Sequence, residues 1–495
     1  MTDFVPIIAQ IDSSALGISY LSIGPELVLA IGAALILMIE VFYKPRHVVH
    51  AGLVFSTLVL ATATAILQYD RVQETGATVH FSGMVVSDEF AVLGKFLLLL
   101  VAALGLLVAW PMVEELGRRG AEGVALVLLS AAGFMFMVAG ANLMMVFLGL
   151  EIGSISLYIL AGITRESVES DEAALKYFLL GSFASAIFVY GVALAYAGTG
   201  ELSLSGIAAQ LPGGSIVLRP GVLLVAMAML ITGLLFKVTA APFHAWAPDV
   251  YQGSPAGIVG YMATAAKVAG FAALTRILYV GFGSFVDDWA PALAAVATIS
   301  VVVGTLMAIM QTDMRRLLAY SGVAHAGFIL TGIVGGQLTA VWFYLAVYVV
   351  QLIAAFAVVS VIAGPTGSVS PLDAYKGLAR RSPYMAGALT VMLLALSGMP
   401  ATAGFIGKLG VFTSAWGAGY EWLVVAGLVA SVAGFFFYIR IIVHMYMEEP
   451  VLVEAPGAEV AKPVVSANVE VVLAIAIAVT IFLGVYPTPL LNFLG

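Results

Sequence analysis

The chain has 495 residues, 62% of them hydrophobic and 10% charged, with a mean hydropathy of +1.09. A soluble domain averages roughly 45–50% apolar and about 25% charged, so this chain carries too little charge to clothe a water-facing surface, and lipid must cover most of it. The formal net charge of -8 comes with no basic run of the kind that grips nucleic acid, and the absence of cysteine excludes disulfides, iron–sulfur ligation and thiolate metal sites.

The N-terminus, Met1-Thr2-Asp3-Phe4, lacks the basic region of a cleavable signal, so the first apolar segment is expected to stay as a helix. Crossing the hydrocarbon takes ~20 apolar residues. By that measure the sequence predicts spans near 21–42, 48–69, 90–110, 122–140, 142–163, 176–197, 221–247, 255–279, 290–310, 318–334, 339–363, 385–412, 422–446 and 468–493. The polar stretches between them are too short for a soluble domain. The expected architecture is an all-α integral membrane bundle of about fourteen transmembrane helices, since helices and closed barrels are the only spanning options.

Orientation follows from lysine and arginine. With the N-terminus outside, the inner loops hold Lys44, Arg46, Arg118, Arg119, Arg165, Lys176, Arg315, Arg316, Lys376, Arg380, Arg381, Arg440 and Lys462. The outer side then has only Arg71, Arg219 and Arg276. This bias to the inside places both termini on the outer side of a plasma membrane. Lys95, in the outer half of the third span, is expected to snorkel. Glu26 and Glu40, near the ends of the first span, are expected to be solvated.

Three lysines remain at membrane depth: Lys237, Lys267 and Lys408. Lys267 lies ~18 Å from either end of its span at 1.5 Å per residue, near the bilayer centre. A central lysine costs about 2.5–3.5 kcal/mol on insertion scales, so it needs a partner, a water-filled cavity or a neutral state. Glu151, deep in the fifth span, is the natural counter-charge, foremost for Lys237. Burial disfavours the charged form of each group and pairing favours it, so a pair that opens toggles a lysine between holding and releasing a proton. For one such pair a static ion pair locking two helices is an equal reading; three deep lysines in one bundle favour a pathway.

Two of the lysines sit beside helix breakers, in Leu234–His244 (LLFKVTAAPFH) and Leu396–Lys408 (LSGMPATAGFIGK). Proline inside a helix removes a backbone bond and breaks or kinks it. In a membrane the freed groups are tolerated only where protein or a water-filled cavity receives them, so a broken helix with a lysine nearby marks a transport site. The breaks fall in the seventh and twelfth spans, each the fourth member of a group of five. This predicts two five-helix repeats of inverted topology, over residues 122–279 and 280–447, flanked by 1–121 and 448–495. The second member of each group carries a deep ionisable residue, Glu151 or His325. A neutral imidazole both donates and accepts, so His325 is placed to pass a proton between Lys267 and Lys408; a packing histidine is the alternative. His244, after Pro242, marks either an access path or a helix-end hydrogen bond. Tyr158, Tyr344 and Tyr348 are candidates for supporting water, with plain packing, the usual role of aromatic residues in a bundle, as the alternative. His47 and His50, though at helical spacing, lack the further ligands a metal needs.

Lys237–Pro255 reads KVTAAPFHAWAPDVYQGSP, and Asp313–Gly327 reads DMRRLLAYSGVAHAG. Both resemble signatures of the N-type antiporter-like subunits of complex I, and length and helix pattern agree along nearly the whole chain. The resemblance implies two half-channels and a proton relay of Glu151, Lys237, Lys267, His325 and Lys408. Lysine at 408 fits the N-type, whereas the M-type carries glutamate there and the L-type continues into a lateral helix. It also implies M-type and K-type neighbours in a membrane arm. FMN, iron–sulfur clusters and quinone are then expected in partner subunits, and no cofactor or metal in this chain. Multisubunit cation/proton antiporters are similar in size and share the lysines, but differ in the loop Pro248–Pro255 (PDVYQGSP). A cation/proton antiporter subunit is therefore the main alternative, ahead of a scaffold or a stand-alone solute carrier.

Overall fold

A computed structural model of the protein describes residues 19–43, 47–164, 167–211, 220–367, 370–450 and 462–494. Among them, twelve helices are long and apolar enough to cross a membrane, from Tyr20–Tyr43 to Ala467–Val485. They match twelve of the predicted spans in order, and the ordinals below follow that order. The other two predicted spans are each broken in two. The seventh is Pro220–Lys237 followed by Trp246–Gly253, and the twelfth is Pro383–Ser397 followed by Ala403–Gly417. The sixth helix, Val168–Thr199, begins eight residues before its predicted span because its first turns are charged and lie beyond the apolar window. The chain ends on a separate short helix, Thr488–Phe493, after Pro487.

Helix starts follow local chemistry. Asp88 accepts from the Ala91 amide at 2.7 Å, Asn142 from Met145 at 2.7 Å, and Asp313 from Arg315 at 2.9 Å and Arg316 at 3.1 Å. Each satisfies amides that the first helical turn leaves without a partner, worth typically ~1 kcal/mol. Apolar periodicity did not reveal an antiparallel ribbon, Thr78–His80 with Val85–Ser87, between the second and third helices. Its second strand docks on the turn after the fourth helix, with the Val86 amide donating to Ala139 O at 2.9 Å. These strands have only three residues each, too few for an alternation signal.

Two helices run through the centre. The eighth, Ala256–Arg276, and the tenth, Met314–Gly335, are buried along their whole apolar windows. Close approach depends on small residues: a Cβ on Gly304 of the ninth helix would sit 2.4 Å from the Ala324 amide of the tenth. The turns that start the fifth and tenth helices are each tied to a later loop. Leu143 N donates to Leu202 O at 2.9 Å and Leu204 N to Ala141 O at 3.0 Å. Likewise, Met314 N donates to Ser370 O at 2.8 Å and Leu372 N to Thr312 O at 2.9 Å.

Several charges lie elsewhere than the sequence suggests. Lys95 does not snorkel: it is fully buried, 2.8 Å from Glu26, and donates to Ser22 O at 2.8 Å and Gln68 Oε1 at 3.1 Å. Glu26 is correspondingly buried, not solvated. Glu40 is buried too, 3.4 Å from His50 Nε2 and 3.3 Å from Arg118 Nε. Arg276 forks onto Asp88 at 2.7 and 2.8 Å inside the bundle, and Arg315 reaches Ser254 O at 2.7 Å and Gly367 O at 3.0 Å. In each case the partner lies on another segment, and pairing removes the drive toward water that sequence position alone implies. Lys44, Arg46, Arg165 and Arg219, used for orientation, lie outside the described residues, as does Met1–Phe4.

Candidate ion path through the membrane

The two breaks place ammonium groups at the C-terminal ends of half-helices. Lys237 is the last residue of Pro220–Lys237. Lys408 begins on the other half of its broken helix but reaches back, donating to Ser397 O at 2.8 Å and to Ser431 Oγ at 2.8 Å. Ser397 is the last residue of Pro383–Ser397. The final carbonyls of a helix have no intrahelical partner and carry the negative end of its dipole, so both ends attract a cation. The breaks turn through Thr239, at φ +63°, and Ala401, at φ +67°. Protein receives the freed backbone groups: the Ala241 amide donates to Ser300 Oγ at 2.9 Å, and Trp246 Nε1 donates to Phe236 O at 3.2 Å.

Lys237 is buried and has no hydrogen-bond partner among the described residues. Its ammonium lies 5.4, 5.5 and 5.9 Å from the ring centres of Tyr177, Tyr158 and Phe134. The hydroxyls of Tyr158 and Tyr177 are likewise buried without a partner. Glu151 is half-buried on the fifth helix and accepts from Ser185 Oγ of the sixth. It forms no ion pair with Lys237 in this structure. The sequence places the two residues in the fifth and seventh spans and suggests a pair, but aromatic rings surround the lysine and a serine holds the carboxylate.

Lys267 and His325 come together through tyrosines. Lys267 Nζ donates to Gly322 O of the tenth helix and to Tyr348 OH at 3.2 Å. The Tyr348 ring centre is 4.9 Å from that of His325. His325 Nδ1 bonds Tyr344 OH at 2.8 Å, and its Nε2 bonds Tyr438 OH at 3.3 Å. Tyr438 OH also meets Ser321 Oγ at 2.5 Å. Ser321 and His325, four apart on one helix, are thus stapled by a tyrosine of the thirteenth helix, Glu421–Met447. A neutral imidazole donates from one nitrogen and accepts at the other, while a hydroxyl does both, so the whole set can reverse its bond directions when a proton passes. Lys408 shares no hydrogen bond with this set. Its ammonium lies 4.6 Å from the ring centre of Phe328.

Sequence reasoning named Tyr158, Tyr344 and Tyr348 but missed Tyr177, Ser185, Ser321, Ser431 and Tyr438. Nothing local distinguishes these from packing residues, because their partners sit on other helices. His244 forms no bond through Nδ1 and packs its ring 6.0 Å from that of Tyr320. Among the described residues, no group of three or more histidines, cysteines or carboxylates is placed to hold a metal.

A helical bundle with buried lysines at two helix breaks, and a histidine–tyrosine set at its centre, has the make-up of a multi-pass membrane protein that moves ions. The chain belongs to the NADH:quinone oxidoreductase/Mrp antiporter transmembrane family, whose model matches residues 140–434. It is 38% identical over 481 residues to the NADH-quinone oxidoreductase subunit N of Trichlorobacter lovleyi, covering 95% of each chain. Its fold is similar to a chain of respiratory complex I from Thermus thermophilus, with a TM-score of 0.79 and 33% identity over 94% of this chain and 98% of that one. A chain of the Mrp complex from Dietzia sp. shares the fold, with a TM-score of 0.82 at 21% identity over 96% of each.

Proposed function

We propose that this chain is the N-type subunit of a complex I-type NADH:quinone oxidoreductase, moving protons across a plasma membrane while partner subunits carry the electrons. In this reading it has fourteen spans with both termini outside. Residues 122–279 and 280–447 form two inverted five-helix units between the flanking segments 1–121 and 448–495. The paired backbone links support that division, since each ties the start of a unit's second helix to the loop before its broken one. M-type and K-type subunits are its expected neighbours.

Glu151, Lys237, Lys267, His325 and Lys408 act as the relay. The observation that carries this is the contact run at the centre of the bundle: a hydrogen bond from Lys267 to Tyr348, the packing of the Tyr348 ring on His325, and hydrogen bonds from His325 to Tyr344 and Tyr438. Redox energy released elsewhere biases the charge on Glu151. Lys237, held at a helix end among aromatic rings and without a hydrogen-bond partner among the described residues, feels that charge and responds by giving up or taking a proton. The change passes to Lys267, which trades a proton with the tyrosine–histidine set, and then to Lys408 at the second break. Moving one charge against the membrane potential costs about 2.3 kcal/mol per 100 mV, so leakage past any station wastes the coupling.

The test is NADH-driven proton pumping and NADH:quinone electron transfer, measured together in membranes bearing Lys237→Ala. Loss of both in an assembled complex supports a coupled proton site in this chain. Normal pumping from an assembled complex sinks the relay. Sodium-dependent ion exchange without quinone reduction would instead support the cation/proton antiporter reading, which the shared fold of the Mrp chain keeps in view.

A further inference from the structure

On its way to the second break the relay meets a gap, and a single side chain occupies it. His325 and Lys408 share no hydrogen bond and no common polar partner. Both nitrogens of His325 are taken by tyrosine hydroxyls. The ammonium of Lys408 is bonded to Ser397 O and Ser431 Oγ, on the side of the helix break. What the two groups do share is Phe328. Its ring stands edge-to-face with the imidazole at 5.9 Å between centres, and the Lys408 ammonium lies 4.6 Å from its centre. Phe328 is buried one turn beyond His325 on the tenth helix, and Phe412 backs its ring edge-on at 5.8 Å.

We propose that Phe328 is the gate of the relay: an apolar plug between His325 and Lys408, held shut by the charge on Lys408. The inference rests on the relay reading above and adds a residue that does not itself ionise. An apolar constriction stops proton flow by excluding the water that would carry it. The face of an aromatic ring attracts a cation much more strongly than a neutral amine. Protonated Lys408 therefore holds the ring over itself and closes the route from His325. Once Lys408 releases its proton outward, that attraction weakens and ring packing against His325 and Phe412 is what chiefly retains the side chain. The ring can then swing, water can reach the amine from the His325 side, and reprotonation restores the closed arrangement. The gate thus opens only when Lys408 is empty, which is the condition for one-way transfer.

The experiment uses the whole complex reconstituted into liposomes with a trapped pH dye. Passive proton leak is measured without NADH under an imposed potential, and proton uptake per NADH with it. Phe328→Ala should raise the passive leak by about tenfold, the effect of lowering one barrier by a single decade. It should lower the protons moved per NADH while NADH:quinone transfer continues. Adding Lys408→Ala to that variant should remove the extra leak, because the leak runs through that amine. Should Phe328→Ala fail to assemble, Phe328→Leu fills most of the space without an aromatic face, and its leak should fall between wild type and the alanine variant. A leak and proton yield at wild-type level in an assembled Phe328→Ala complex overturn the gate, as does a wild-type leak from Phe328→Leu where that variant is the one available. Lys408→Ala alone separates the two ideas. If it stops this subunit's pumping while Phe328 variants behave as wild type, only the gate fails; if it too pumps normally, the relay has failed.

Discussion

Gly322→Ala tests the centre of the relay without replacing an ionisable group. Gly322 O accepts from the Lys267 ammonium, and a methyl at this position would sit 2.9 Å from Lys267 Nζ and 3.3 Å from Tyr348 OH. The first distance is too short for contact, so the flexible end of Lys267 must give way. Hydrogen bonds to charged groups contribute about 1.5–3 kcal/mol, and losing or stretching this one should slow transfer through Lys267 by roughly ten- to a hundredfold. Alanine is the better helix former by roughly 0.5–1 kcal/mol, so the change does not weaken the tenth helix itself. The assay is initial NADH-driven acidification of inverted vesicles, normalised to complex content on a native gel. The expected result is full assembly with slow pumping and correspondingly slow NADH oxidation. Wild-type pumping rates from an assembled Gly322→Ala complex would refute the reasoning, because the lysine would then work without the position the structure assigns it.

Other positions extend the test. Lys95→Met leaves Glu26 buried without its partner, and breaking a buried pair costs about 3–5 kcal/mol. Thermal inactivation of the purified complex should shift to lower temperature while protons per NADH stay unchanged; a changed proton yield would give Lys95 a part in transport. Tyr438→Phe removes the hydroxyl shared by Ser321 and His325, leaving buried polar groups unpaired at about 1–3 kcal/mol. Pumping and NADH oxidation should slow together, with Tyr69→Phe as the neutral control. Asp249, on the short helix after the first break, is half-buried, which pushes its carboxyl up. Hydrogen bonds from Lys176 at 2.7 Å and Arg316 at 2.6 Å outweigh this and hold it below the usual carboxylate range. A depressed folded-state value contributes stability that is present above the unfolded value, near ~3.9 for aspartate, and lost as pH falls through the folded one. Acid dissociation of the complex should therefore lose part of its steepness below that pH in Asp249→Asn, while stability between pH 5 and 8 keeps a flat profile. An unchanged acid limb would mean that this cluster carries no linked proton.

Much of this protein is legible without coordinates. Apolar windows near the length of a bilayer core mark the helices, because lipid rejects any segment that is neither apolar nor self-satisfied. Pro242 and Pro400 mark the two breaks, and Lys237, Lys267, Lys408 and Glu151 stand out because a charge at membrane depth is costly unless something receives it. What receives it is another matter. The sequence gives no sign that Lys95 meets Glu26 rather than water, that Glu151 bonds Ser185 rather than Lys237, or that Tyr438 staples Ser321 to His325.

By itself, then, the sequence determined that this is a membrane bundle, where its helices run and break, and which buried charges demand an explanation. These depend on transfer energies and backbone rules that act residue by residue along the chain. Only the tertiary structure decided who partners whom and that Phe328 stands against both His325 and Lys408. Hydrogen bonds and ring contacts form over a few ångströms between helices far apart in sequence, and packing alone sets those distances.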